Sequence, residues 1–215
     1  MLELVGDLDP GDVHLVLVGD YFDRWNQGLE AVRWVMSRPN TTALLGNHDA
    51  LILGVLEEVS VGEQGQATES WLWNGGKVED LNRLARDDAA VDWLRERPAM
   101  TMVDGVLLQH SDAPVYLLYG GSVDQVNGSF AQHLRSRDPE VLFTMFAHLC
   151  RRRQFYKPQD VSDYLKVFGA RRLVHGHTPH THPKPVSIFG GTLVNVDGAL
   201  SRGFGQGRRG FVYWL

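Results

Sequence analysis

Cysteine is almost absent from this sequence. Cys150 stands alone among 215 residues, which excludes an internal disulfide and fits a reducing compartment. Long apolar runs are lacking too, and no stretch approaches the roughly 20 residues of a membrane span. The opening segment MLELVGDLDPGD has neither a basic flank nor an apolar core, so it does not read as a signal peptide. Positive charge is not in excess. The formal net charge of −5 gives no bulk electrostatic reason to bind nucleic acid or an anionic membrane. Internal repeats and long linkers are missing. What remains is globular in composition, 43% apolar and 22% charged, and long enough to bury a substantial core. The expectation is a cytoplasmic protein with one domain over residues 1–215.

The elements alternate. His14 to Gly19 is a short apolar run ending in a turn signal, which predicts a buried strand. Gly28 to Ser37 has the apolar spacing of a helix, and Pro39 ends it. Thr41 to Leu45 reads as a second strand and Asp49 to Val59 as a second helix, the rhythm of a βαβ unit. Ala67 to Arg97 is helical in composition, with the Trp71–Trp73 pair assigned to the core. Met100 to Val103 and Val106 to Gln109 flank Asp104-Gly105, a hairpin signal. Ala113 to Gly169 reads as a helical insertion, with Asp138-Pro139 as a helix start. From Arg171 short strands return: RRLVH, PVSIF, TLVNV and GFVYW. Parallel β/α units followed by antiparallel strands predict an α/β fold of two stacked mixed β-sheets with helices outside.

Polar chemistry follows four of the predicted strands. Gly19-Asp20-Tyr21-Phe22-Asp23-Arg24 follows the first, and Gly46-Asn47-His48-Asp49 the second. His110-Ser111-Asp112 follows the hairpin strand, and Gly176-His177-Thr178-Pro179 the strand opening at Arg171. In open α/β sheets, sites assemble at the carboxyl ends of strands. A carboxylate, an amide oxygen and two imidazoles make a donor set that suits Mn²⁺, Fe or Zn²⁺ better than Ca²⁺ or a thiolate metal. Singly, each residue has a bland reading: Asp20 as a cap, Asn47 in a turn, His110 in the core, Gly176 in a tight turn.

The order and spelling GDxxDR, GNHD, strand-end His, GHTP resembles the calcineurin-like metallophosphoesterases. GHTP rather than GHTH is closest to the phosphoprotein phosphatase and symmetrical dinucleoside tetraphosphatase branch. The likeness extends to VNVDGAL, with Asn195 and Asp197. The resemblance implies a four-layer α/β/β/α sandwich and a metal-activated water attacking a phosphomonoester or phosphoanhydride, in a phosphoprotein or a nucleotide. It makes Asp20 the carboxylate that bridges two metals, and Asn47, His110 and His177 the other ligands of the second metal. His48 matches the general acid, Asp23 the carboxylate that orients and charges it, and Arg24 a phosphate-binding guanidinium, with Asn47 also beside the phosphate.

The sequence departs from the family pattern in three places. The family opens with a strand ending in GDxH-Gly, which holds the first metal, and no such strand is found here. Gly6-Asp7-Leu8-Asp9 has no histidine. Gly11-Asp12-Val13-His14 spells the motif but leads into the strand that ends at Asp20. Six residues at about 3.3 Å each put His14 roughly 20 Å from Asp20, so Asp12 and His14 read as a turn and a strand start. Two explanations compete. In one, a GDxH strand lies upstream of Met1, which the cost of a parallel sheet missing an inner strand favours as the functional form. In the other, the domain is truncated and keeps one metal of the family's two. The chain as numbered is expected to be at best weakly active. Trp25 stands where the family has Gly. Pro179 occupies the slot in which sister families carry a histidine, and His180, one residue on, is not counted as a ligand. His175 is expected to pack in its strand, and Arg151-Arg152-Arg153 to end a helix. The loop Arg202 to Gly210 reads as a hairpin connection, while Tyr116 and Tyr119 stand equally for core or substrate entrance.

Two functions compete. One is a metal-dependent phosphatase. The other is a truncated, catalytically impaired relative that binds a metal or a phosphate without hydrolysing it, which assays with and without an upstream GDxH strand would separate. A nuclease or phosphodiesterase on the same fold is disfavoured by the acidic balance and the lack of a basic stripe.

Overall fold

The computed structural model describes residues 5, 8, 11–23, 27–200 and 210–215. Its first sheet is the expected βαβ unit. Strand β1 (Leu15–Leu17) pairs in parallel with β2 (Thr41–Ala43), with Leu15 opposite Thr41. The connecting helix α1 (Gly28–Ser37) buries Leu29, Val32 and Val35, one stripe at three-residue spacing. No strand precedes β1 among the described residues. His14 lies just before β1 and meets the Thr42 hydroxyl at 2.9 Å, at the opposite end of the strand from Asp20.

Helix α2 (Asn47–Ser60) is buried over most of its circumference, including the run Ala50–Val55. Three short helices follow: α3 (Gln66–Trp73), α4 (Val78–Leu84) and α5 (Asp88–Arg95), the last capped by the Asp87 side chain. Trp71 is buried there, but Trp73 is 91% exposed, which corrects its assignment to the core. At about 100° per residue, positions two apart on a helix point nearly opposite ways.

Strands β3 (Met100–Val103) and β4 (Val106–Gln109) form the predicted hairpin. Asp104 and Gly105 both have positive φ (46° and 73°), as a type I′ turn requires. A 3₁₀ turn (Pro114–Leu118) leads into α6 (Val123–Ser136), α7 (Pro139–Leu149) and α8 (Pro158–Phe168). Asp138 caps α7 by accepting from the Glu140 and Val141 amides.

The second sheet adds β5 (Arg172–His175), β6 (Val186–Ile188) and β7 (Leu193–Asn195) in the order β3-β4-β5-β7-β6. Its three inner strands are parallel and its two edge strands antiparallel. Alternation sorts the side chains. Leu44, Val106, Leu108, Val174 and Val194 fill the space between the two sheets, while Leu107, Leu173 and Leu193 face the helical core. The predicted fourth late strand, GFVYW, is a correction: residues 210–215 join no ladder among the described residues. They pack by side chains instead, Phe211 stacked on His180 and Tyr213 against the inter-sheet cluster.

Candidate metal centre

β4, β5 and β7 run in one direction, with Gln109, His175 and Asn195 in register. The residues just past these strand ends therefore share one edge of the sheet. His110 is buried there, and its backbone amide donates to the Tyr116 hydroxyl at 3.2 Å. His177 is buried with φ 62° in the turn after β5. The stacked smaller sheet brings the β1 and β2 ends to the same place.

The β1–β2 crossing is tight. Gly19 has φ 93°, and a Cβ on Gly46 would overlap both the carboxylate and the amide of Asp20. Asp20 itself has φ 66°. Asp49, fully buried, clamps the crossing by accepting from the amides of Asp20 (2.9 Å), Tyr21 (2.9 Å) and Gly46 (2.8 Å). The His48 amide, in the first turn of α2, donates to Asp20 Oδ1 at 3.0 Å. Asp20 thus sits at a helix N-terminus, which favours its negative charge. Burial pushes the Asp20 carboxyl up, but the imidazoles of His110, His48 and His177 more than offset it and hold it at about 2. Burial, then the charge of Asp20, raises Asp49 to about 7 against its amide donors.

The four predicted ligands come together. Asp20, His110 and His177 offer donor atoms within 4.8 Å of one another. His110 Nε2 lies 2.9 Å from Asn47 Oδ1, 3.0 Å from His177 Nδ1 and 3.5 Å from Asp20 Oδ1. The other ring nitrogens are committed to carbonyls, which only accept. His110 Nδ1–H donates to Val18 O at 2.7 Å, and His177 Nε2–H to Cys150 O at 3.1 Å. This fixes which nitrogen of each ring faces inward, as outer partners of metal-bound histidines do. Burial, then the neighbouring His110, lowers His177 to about 3, so its Nδ1 carries a lone pair at neutral pH. A proton on His110 Nε2 could be donated to only one of three facing acceptors. A divalent cation satisfies all four donors at once, and the mixture of carboxylate, amide and imidazole suits it.

Beside this cluster, His48 Nδ1 meets Asp23 Oδ2 at 2.5 Å, with both side chains at least 97% buried. The Trp71 indole donates to the other oxygen of Asp23 at 2.7 Å. Asp23, like Asp20 and His177, has positive φ (74°). Such conformations persist only where the surroundings over-determine them, and they collect at functional sites.

Other candidates fall elsewhere. Arg24 and Trp25 lie outside the described residues, as do most of the 202–210 loop and most of Gly6–Asp9. His175 is buried in β5, as expected. His180 stacks on Phe211, and His182 is exposed beside Lys184 O. Tyr116 is core, its hydroxyl holding the His110–Ser111 backbone, and Tyr119 pairs with His148 at 2.8 Å. Arg151–Arg153 follow the end of α7, and the Arg152 charge is among the causes that lower His177. Sequence reasoning missed the roles of Asp49, Trp71 and Cys150. Asp49 had a signal as the last letter of GNHD, whereas nothing local marked Trp71 as a partner of Asp23.

Two stacked sheets between helices, with carboxylate, amide and imidazole donors at their common edge, define the metallophosphoesterase class of fold. Residues 1–181 match the family model described as calcineurin-like phosphoesterase, and the chain belongs to that family. It is 32% identical over 112 residues to the symmetrical bis(5'-nucleosyl)-tetraphosphatase of Methylobacillus flagellatus, covering 52% of this chain and 36% of the relative. The enzyme of the same name from Ectopseudomonas mendocina is 36% identical over 96 residues, 44% of this chain and 31% of the relative. These matches thus span about a third of the curated relatives' length. The cold-active protein-tyrosine phosphatase of a psychrophilic Shewanella superposes with a TM-score of 0.62 at 19% identity. That match covers 88% of this chain and 61% of the other. Among the described residues no helix is long and apolar enough to cross a membrane.

Proposed function

We propose that this chain hydrolyses a phosphoanhydride of a nucleotide at a divalent metal centre. The observation that carries the reading is the convergence of donor atoms: those of Asp20, His110 and His177 lie within 4.8 Å of one another, and Asn47 Oδ1 lies 2.9 Å from His110 Nε2. A bound Mn²⁺, Fe or Zn²⁺ supplies Lewis acidity and lowers the pKa of a coordinated water. Those four residues would hold it, His110 through Nε2 and His177 through Nδ1.

The protein's own groups account for the rest. The first-turn amides of α2 present a positive dipole end where phosphate oxygens would lie. Asp23 holds His48 by Nδ1, so proton delivery to the leaving oxygen would run from Nε2. Trp71 fixes Asp23 in turn. The positive charge of Arg152, felt at His177, adds attraction for an anionic substrate. Arg24 is assigned to phosphate on its place in the GDxxDR motif.

Phosphoanhydride is preferred to phosphomonoester because the curated relatives at about 30% identity are named tetraphosphatases. The test is hydrolysis of a symmetrical dinucleoside tetraphosphate, p-nitrophenyl phosphate and a phosphotyrosine peptide, each with Mn²⁺ and with EDTA. Metal-dependent cleavage fastest on the tetraphosphate is expected. Cleavage of the peptide alone would refute the substrate class. No cleavage of any substrate by a metal-loaded chain would leave a binding protein in place of an enzyme.

A further inference from the structure

Cys150 touches two of the four donors through two different atoms. Its Sγ accepts from Asn47 Nδ2 at 3.3 Å, and its carbonyl accepts from His177 Nε2–H at 3.1 Å. It stands at the C-terminal cap of α7, where carbonyls lack helical partners and the dipole end is negative. Helices α2 and α7 deliver it there. Gly54 of α2 lies against Pro139 and Leu142 at the start of α7, so the helices run antiparallel and the end of α7 meets Asn47 at the start of α2.

The sulfur contact has a consequence for the amide. Asn47 has two orientations that differ by exchange of oxygen and nitrogen. With His110 Nδ1 directed at Val18 O, its Nε2 lies 2.9 Å from Asn47 Oδ1. The opposite orientation would put the NH₂ group against Nε2 and turn the amide oxygen away from a cation. The Cys150 sulfur gives the NH₂ group an acceptor on the opposite side.

We propose that Cys150 is a positioning residue that holds the Asn47 amide with its oxygen toward the metal. This rests on the proposed metal centre. Cys150 is no ligand itself. It acts as an outer partner, and such partners typically change metal affinity by about 10- to 100-fold when removed.

Mn²⁺ binding to the full chain, read from the electron paramagnetic resonance of the free ion, tests it. Cys150→Ala should weaken binding about tenfold. Cys150→Ser, whose hydroxyl still accepts from the amide, should recover most of the loss, whereas a purely packing role would leave Ser and Ala alike. Cys150→Val fills the sulfur's space without an acceptor and gives the same reading if the alanine variant does not fold. In an Asn47→Ala background, Cys150→Ala should cost nothing further, because the interaction it removes is already gone. Parent-like affinity in Cys150→Ala and Cys150→Val, or an undiminished loss in the Asn47→Ala background, overturns the assignment. A parent chain that binds no Mn²⁺ at all overturns the metal centre beneath it, and is told apart by that alone.

Discussion

Asp49 joins three backbone amides from two loops. Replacing it with alanine strands one buried and two partly buried donors, at about 1–3 kcal/mol for a buried one, so Asp49→Ala should lose about 3 kcal/mol in denaturant unfolding. A loss under 1 kcal/mol would show that the loops hold themselves. Gly46→Ala probes the same crossing differently, since its Cβ would push Asp20 away from His110. A displacement of about 1 Å can cost on the order of 10²-fold in activity. Metal-dependent turnover should therefore collapse in that variant. Parent-like turnover would mean that the loops part without cost. His48→Ala should cost about 10²–10⁴-fold on substrates with poor leaving groups and far less on an activated aryl phosphate. Equal losses on both would argue against an acid role. At this scale the motif spelling singles out Asp20, Asn47, His110 and His177, residues that lie near one another in the fold. Their supports were not. Trp71 is 48 residues from Asp23, and Cys150 is 103 from Asn47, so only the fold brings each pair into contact.

Among the helices and strands, termini carry the chemistry. The α2 N-terminus holds Asn47, His48 and Asp49 in consecutive first-turn positions, and the α7 C-terminus supplies Cys150. The loop between α2 and α3 is closed by Glu58, which accepts from Gly65 N, Ala67 N, Thr68 N and the Thr68 hydroxyl. Burial pushes the Glu58 carboxyl up, but these donors outweigh it and the net shift is downward. A carboxyl lowered in the folded state contributes stability above its unfolded pKa and loses it as pH falls through the folded value. Glu58→Gln should therefore cost about 1–3 kcal/mol at pH 7, and the two stability curves should converge below about pH 4. A gap that stays constant down to pH 3 would contradict this. Periodicity located α1, α2 and the β3–β4 hairpin because their apolar spacing and turn residues are local signals. It failed at Trp73 because a helix of 8 residues exposes too few turns to fix its buried face. It failed at GFVYW because apolar alternation cannot say whether a partner strand is in reach.

Across the whole molecule, the two sheets act as one frame. Val18, Leu44 and Val174 lie in the apolar layer between them. The same layer brings Val18 O to His110 Nδ1 and so aims that ring. Fold class was legible because βαβ rhythm followed by a hairpin and short strands admits few arrangements. Sheet order was not, since it depends on which strands meet across the long helical segment between β4 and β5. The central claim is that four strand ends build one divalent-metal centre. Anomalous diffraction at the manganese edge from crystals of the full chain grown with MnCl₂ tests it most directly. The account predicts a peak bonded to Asp20, Asn47 Oδ1, His110 Nε2 and His177 Nδ1. Occupied manganese elsewhere, with His110 and His177 still in mutual contact, would contradict it.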